Sequence, residues 1–343
     1  MRHLLCLAVL ILTSPPGTAN EGSQRFAFVR IGDVPETSIA RINRALEANY
    51  DRILSDLDVE SLPVTTVRIW SDQAAFRKAF EDGGGSGGVA QGYVNTESME
   101  LRLLDSPGVE AVAVHEFAHR VTLSVNPTIA ANPFWLWESV ALFEDGSGPP
   151  DTLQLSCISA EGGPSLAELN QYPGSTKVFR MGYLLAEYIT ERWGRSGLLA
   201  LIRNNGRIEP SLGIREQAFE RDWLEHVLAR YDFAAPGPAM TQRRLIAEFA
   251  GNTLSNHTLN LSVYMAADGS LIYGSQGAAQ LTGRWSATAD HEICLELGGA
   301  RRCSRWFRSK QETYLLASNS DCVFQEWILE PGDSVRSPAS EQQ

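Results

Sequence analysis

The chain has 343 residues and a formal net charge of -12, with 29 Lys and Arg against 41 Asp and Glu. So acidic a surface argues against nucleic acid as a partner, because phosphate backbones are bound by clustered Lys and Arg. The length exceeds what one core organises, so two domains are expected, and no apolar run approaches the roughly 20 residues of a transmembrane helix.

Residues 1–19 read as a secretory signal: Arg2 and His3, the apolar run 4–12, then Gly17, Thr18 and Ala19 as a small-residue cleavage site. The expected location is therefore secreted or periplasmic, with a soluble mature chain. The charged helix over residues 41–57 presents a solvated face. A strand at 64–70 and a helix at 71–80 follow. The tract Gly84-Gly85-Ser86-Gly87-Gly88 formally matches a nucleophile elbow and a dinucleotide loop. It follows a polar helix and leads into a strand, the reverse of the context either needs, so it reads as a flexible loop. Short strands are expected at 92–95 and 99–104, the second a candidate edge for an extended peptide.

The next helix carries His115-Glu116-Phe117-Ala118-His119. Ser106 can cap it, Pro107 suits its first turn, and Val112, Val114, Val121 and Leu123 make most of its circumference apolar. Positions i and i+4 lie on one helix face, so both imidazoles can hold one metal ion. Glu116 is rotated about 100° from His115, beside the metal rather than on it, where it can take a proton from water. A second apolar helix, 134–145, opens after Asn132-Pro133 and contains a lone Glu138 nineteen residues beyond His119. Two histidines and one glutamate leave a fourth position open, as catalytic zinc sites do, which predicts one Zn2+ per chain on His115, His119 and Glu138.

Helices at 179–194, 198–204 and 222–231 precede the breakers Ala234-Ala235-Pro236-Gly237-Pro238. These divide a domain at 20–235 from a tail at 236–343. The tail reads as a short helix, 240–249, then seven strands and a polar end. Gly298-Gly299 as a two-residue turn sets Glu296 opposite Arg301 and Cys294 opposite Cys303, close enough for a disulfide. Cys157 and Cys322 either pair or stay free. Trp285, Trp306 and Trp327 read as packed core. The fold class is α+β, a small mixed sheet with helices followed by a small antiparallel β domain.

On these motifs, the chain resembles the gluzincin zinc metallopeptidases of the broad peptidase MA-like class, over residues 60–205. The resemblance implies a zincin-like catalytic domain, with His115, His119 and Glu138 as ligands and Glu116 as general base. It also implies an acid behind the metal; Asp145 matches that position, with Glu144 a competing candidate. Tyr183 is the first candidate for steadying the oxyanion and Tyr172 the second. Ser139 stands where the family more often has glycine, which puts the packing near the ligand in question. The Gly-x-Met-Glu-Asn motif of the aminopeptidase branch is absent from the sequence, which favours an endopeptidase acting on a peptide or protein substrate. The tail resembles uncharacterised small β domains of secreted bacterial proteins through Gly251-Asn252-Thr253 and the strand 283–285, a likeness that names no activity. Two rival readings remain. One is a non-catalytic zinc-bound binding protein of the envelope, the other a zinc amidohydrolase acting on a non-peptide amide.

Overall fold

In the computed structural model, which describes residues 25–83, 91–151, 155–159, 162–171, 176–231, 233, 239–257, 260–275, 280–309, 313–317 and 322–335, an α+β architecture is built in two parts. The first holds a sheet of β1 (Phe26–Ile31), β2 (Thr65–Trp70), β3 (Gly92–Asn95) and β4 (Glu100–Leu104), in the order β1-β2-β4-β3. The first three in that order run parallel, and β3 pairs antiparallel with β4. Parallel β1 and β2 need a crossover, which α1 (Glu36–Asp56) supplies.

Alternation along the strands sorts the side chains. Val67, Ile69, Leu101, Leu103 and Val94 join the main apolar cluster with α1 and α3 (Val109–Val125). Trp70 and Leu104 turn to the other face and bury Phe76 of α2 (Gln73–Asp82). Each such side chain contributes roughly 1.5–3 kcal/mol on full burial. Tyr50 of α1 stacks on Phe117 of α3 at 5.4 Å. Helix α1 thus presents one solvated face, as expected, and buries the other.

Two expectations are corrected here. Strand β4 lies between β2 and β3, so the edge strand beside the helices is β3. Helix α3 starts at Val109, not at Ser106: Gly108 turns the chain in the left-handed region (φ 80°), and the Val109 N–H closes that turn on the Ser106 carbonyl. Ser106 Oγ donates to the Leu104 carbonyl instead.

Beyond α3 come α4 (Phe134–Glu144), α5 (Leu166–Leu169), α6 (Val178–Arg203), α7 (Ile208–Leu212) and α8 (Glu216–Arg230). The helices expected at 179–194 and 198–204 are the halves of α6, kinked at Gly194 where φ is 69°. The signal at 1–19, the glycine tract at 84–88 and the boundary at 234–238 fall outside the described residues.

The second part begins with α9 (Gln242–Phe249). Strands β5 (Asn252–Asn256), β6 (Leu261–Met265), β7 (Ser270–Ser275), β8 (Leu281–Ala287), β9 (Glu292–Leu297), β10 (Ala300–Arg308), β11 (Tyr314–Ala317) and β12 (Phe324–Pro331) then form a closed antiparallel barrel, each paired with the next and β12 with β5. The expected seven strands are therefore eight. Strand β5 was hidden because its Asn-Thr-Leu-Ser-Asn sequence carries one apolar side chain, and its outward Thr253 is buried by hydrogen bonding with residues 332–334. Closure leaves the barrel no free strand edge. Register between β9 and β10 is the one expected, Glu296 facing Arg301 and Cys294 facing Cys303. Trp285, Trp306 and Trp327 fill the interior, with Phe249 of α9 against Trp306 at 5.2 Å.

Cys294–Cys303 is a disulfide within the barrel, with Cα atoms 3.9 Å apart. Cys157 and Cys322 are also joined, Cα to Cα 4.9 Å, and the Ser156 N–H donates to the Cys322 carbonyl beside them at 2.9 Å. Two disulfides point to an oxidising, extracytoplasmic compartment. Among the described residues no helix is long and apolar enough to cross a membrane.

Candidate metal centre

Helices α3 and α4 are apolar almost all round, and two histidines of the first meet one glutamate of the second. The ligand atoms of His115, His119 and Glu138 lie within 4.8 Å of one another. His115 Nε2 is 3.3 Å from Glu138 Oε2, and His119 Nε2 is 3.8 Å from Glu138 Oε1. The imidazole rings stand edge to face, 4.7 Å between centroids. Two neutral-capable nitrogens and one carboxylate, all buried or nearly so, fit a borderline divalent cation such as zinc.

Position on α4 decides the two acidic candidates. Asp145 caps the helix and puts Oδ2 3.4 Å from His115 Nδ1, while its Oδ1 accepts from the Ser147 N–H at 2.8 Å. Glu144 points away. Its fully buried side chain accepts from Arg52 Nη1 of α1 at 2.9 Å and from Arg195 of α6.

Burial is the largest influence on His115, Glu116, His119 and Glu138. It drives Glu116 up to about 7, against the His115 charge and a hydrogen bond from the Val94 backbone. It drives His119 down to about 4, against the pull of Glu138. It opposes the charge on His115, yet Asp145 and Glu138 overcome it and hold that ring up to about 10. Glu138 stays near 2 despite burial, because both histidines face it. The metal-free site is thus an imidazolium clamped between two carboxylates, with Glu116 poised to exchange a proton near neutrality.

Three contributors were not visible in the sequence reading. Val94 lies on edge strand β3 and joins that strand to Glu116. Gly92 lets β3 approach α3: a Cβ there would stand 2.6 Å from Val112 Cγ1 and 3.0 Å from Glu116 Cγ. Trp137 stacks on His119 with centroids 4.0 Å apart and planes 7° from parallel. The serine after Glu138 is accommodated by the facing helix, since a Cβ on Gly182 of α6 would stand 3.0 Å from Ser139 Cα. The small residue at this helix crossing is Gly182.

Tyr183 is not brought to this cluster by any contact among the described residues. Its ring packs on Phe143 at 5.3 Å, and the charges that act on its hydroxyl are Glu187, Arg230 and Glu191. Tyr172 lies outside the described residues. His226 pairs with Glu191, and His291 accepts from the Gln242 N–H, both remote from α3. No protein-family model and no curated sequence matches the chain.

Proposed function

We propose that the chain is a secreted or periplasmic zinc-dependent peptidase, with a zincin-like catalytic domain of gluzincin type at 20–235 and the barrel domain in 236–343. The observation that carries this reading is a buried carboxylate, Glu116, next in sequence to His115 and beside a two-histidine, one-glutamate donor set to which it does not belong. A carboxylate so placed is suited to general base work on a metal-activated water.

His115, His119 and Glu138 would hold the ion, and Asp145 fixes the ring of His115. Zinc held there would supply Lewis acidity toward a carbonyl and a water. Glu116 takes the proton of the attacking water and hands it to the departing amine nitrogen. Among the described residues the outer side of β3 has no partner strand and offers backbone groups to an extended peptide, and the Val94 backbone hydrogen-bonds Glu116. Such a strand has no need of a free amino terminus, which favours internal cleavage. The leader expected at residues 1–19 and the two disulfides support an extracytoplasmic address.

The test pairs metal analysis with the Glu116→Gln variant. Purified protein should hold about one zinc per chain. Glu116→Gln should keep it while cleavage of a broad peptide library falls roughly a hundredfold or more. Equal cleavage by the variant with zinc in place overturns the assignment. Bound zinc with no peptide cleavage in the wild type favours a binding protein or a non-peptide amide as substrate.

A further inference from the structure

Histidines that hold zinc usually donate their second ring nitrogen to a carboxylate or carbonyl, which fixes both tautomer and ring plane. His115 follows that pattern through Asp145. His119 does not. Its Nε2 faces Glu138, so a neutral ring binding metal through that atom carries its hydrogen on Nδ1. Among the described residues Nδ1 of His119 is buried without a hydrogen-bond partner. The ring is 97% enclosed nonetheless, so something other than a hydrogen bond sets its plane.

The group in contact with it is the indole of Trp137, parallel to within 7° at 4.0 Å. Trp137 is itself buried, and it directly precedes Glu138 on α4. The turn of helix that delivers the third donor therefore also delivers a flat apolar plate against the second. Rotation of His119 about its Cβ–Cγ bond would drive a ring edge into the indole face, and the other side is bounded by the His115 ring at 4.7 Å. The geometry points to Trp137 as the positioning residue of His119, holding Nε2 toward the metal by stacking where an acceptor for Nδ1 is missing. This rests on the metal reading above. The two histidines then differ in kind. Asp145 gives His115 extra basicity as well as orientation, whereas Trp137 gives His119 orientation alone, so any large aromatic face at position 137 should serve.

The test compares wild type with Trp137→Phe and Trp137→Leu. Zinc affinity is measured by competition with a chromogenic chelator, together with the visible spectrum of the cobalt(II) form and the thermal midpoint of the metal-free protein. Trp137→Phe should stay within about threefold of wild type, and Trp137→Leu should weaken zinc roughly tenfold to a hundredfold with an altered cobalt spectrum. A purely structural tryptophan would lower the midpoint and leave the metal-bound spectrum unchanged. Wild-type affinity and spectrum in Trp137→Leu overturn the inference. Should that variant not fold, cobalt(II) titration of intrinsic fluorescence decides: the chain has 8 tryptophans, and the component quenched by cobalt should be absent in Trp137→Phe. Identical quenching in both proteins overturns the inference. A wild type that binds neither zinc nor cobalt removes the metal reading and this inference together.

Discussion

Asp145 Oδ2 stands 3.4 Å from His115 Nδ1, and Asp145 is the residue that closes the helix bearing Glu138. One short helix therefore brings a metal donor to the site and, seven residues on, the acid that orients a donor from the neighbouring helix. Separating those contributions is the first experiment. Asp145→Asn should weaken zinc roughly tenfold to a hundredfold while stability changes little. Glu144→Gln should do the opposite, since it uncouples Arg52 and Arg195 without touching His115. Because those guanidinium groups are 40% and 35% exposed and can rehydrate, the cost should be about 1–3 kcal/mol, below the range for wholly buried pairs. Chelator competition and denaturant unfolding on both variants check the crossing pattern; equal zinc loss in both would reject it.

Zinc binding should release protons. In the metal-free protein His115 is held charged up to about 10, and a ligating imidazole must be neutral. Above about pH 7.5 the ring of His115 is the donor still carrying a removable proton, so apparent affinity should rise about tenfold per pH unit to about pH 9.5, then flatten. Stability of the metal-free protein moves the other way. A folded pKa raised above the unfolded 6.5 stabilises fully below that value, and the contribution disappears as pH rises through about 10. Calorimetric titrations in two buffers of different ionisation enthalpy measure the proton count, and a count of zero at pH 8 would contradict the charged His115.

Gly92→Ala tests how closely the edge strand must approach the base. The added methyl would meet Val112 and Glu116 at 2.6 and 3.0 Å, and one of the three must shift. Overpacking of this kind costs roughly 1–3 kcal/mol. Peptide cleavage should fall more than stability alone explains, because the displaced strand carries the Val94 N–H that holds Glu116. Full activity in a folded Gly92→Ala protein would show that this hydrogen bond is dispensable.

Unreduced peptide mapping should recover Cys294 joined to Cys303 and Cys157 joined to Cys322. Their stabilities should differ. Closing a loop with a sequence separation of 165 constrains the unfolded chain by about 5 kcal/mol, against about 3 kcal/mol for a separation of 9. The double variant Cys157→Ala with Cys322→Ala should therefore melt lower than Cys294→Ala with Cys303→Ala. A reversed order would place native-state packing above chain entropy as the source of the effect.

The metal cluster was legible because its information is local. His115 and His119 are one helical turn apart, and Glu138 is a carboxylate in the middle of an apolar helix, conspicuous before its partner is known. The hairpin register followed from a two-residue turn for the same reason. What the sequence hides depends on how helices are rotated against one another. Spacing does not single out a residue to steady an oxyanion: Gly182 is the residue that faces Ser139, and one step of 100° carries Tyr183 round to Phe143. Trp137 is one of many aromatic residues in a buried helix, and nothing in its neighbours singles out the one that touches an imidazole. Strand β5 can be polar because its outer Thr253 is satisfied by residues 332–334, which pass over it, a contact spanning about eighty positions.

The barrel is mounted at two points. Its chain enters through α9 into β5 where Asn252 faces Pro331, whereas Cys322, which is bonded to Cys157, precedes Phe324 at the far end of β12. At about 3.3 Å per residue those attachments are separated by about 25 Å along one strand. A body tied through a single linker can swing like a flag on a pole; one pinned at both ends of its axis transmits torque and has little freedom to pivot. Reduction of the bond between Cys157 and Cys322 would leave that second attachment to the Ser156–Cys322 hydrogen bond, the bridge between Leu155 and Val323 and the packing of Cys322 in the main core.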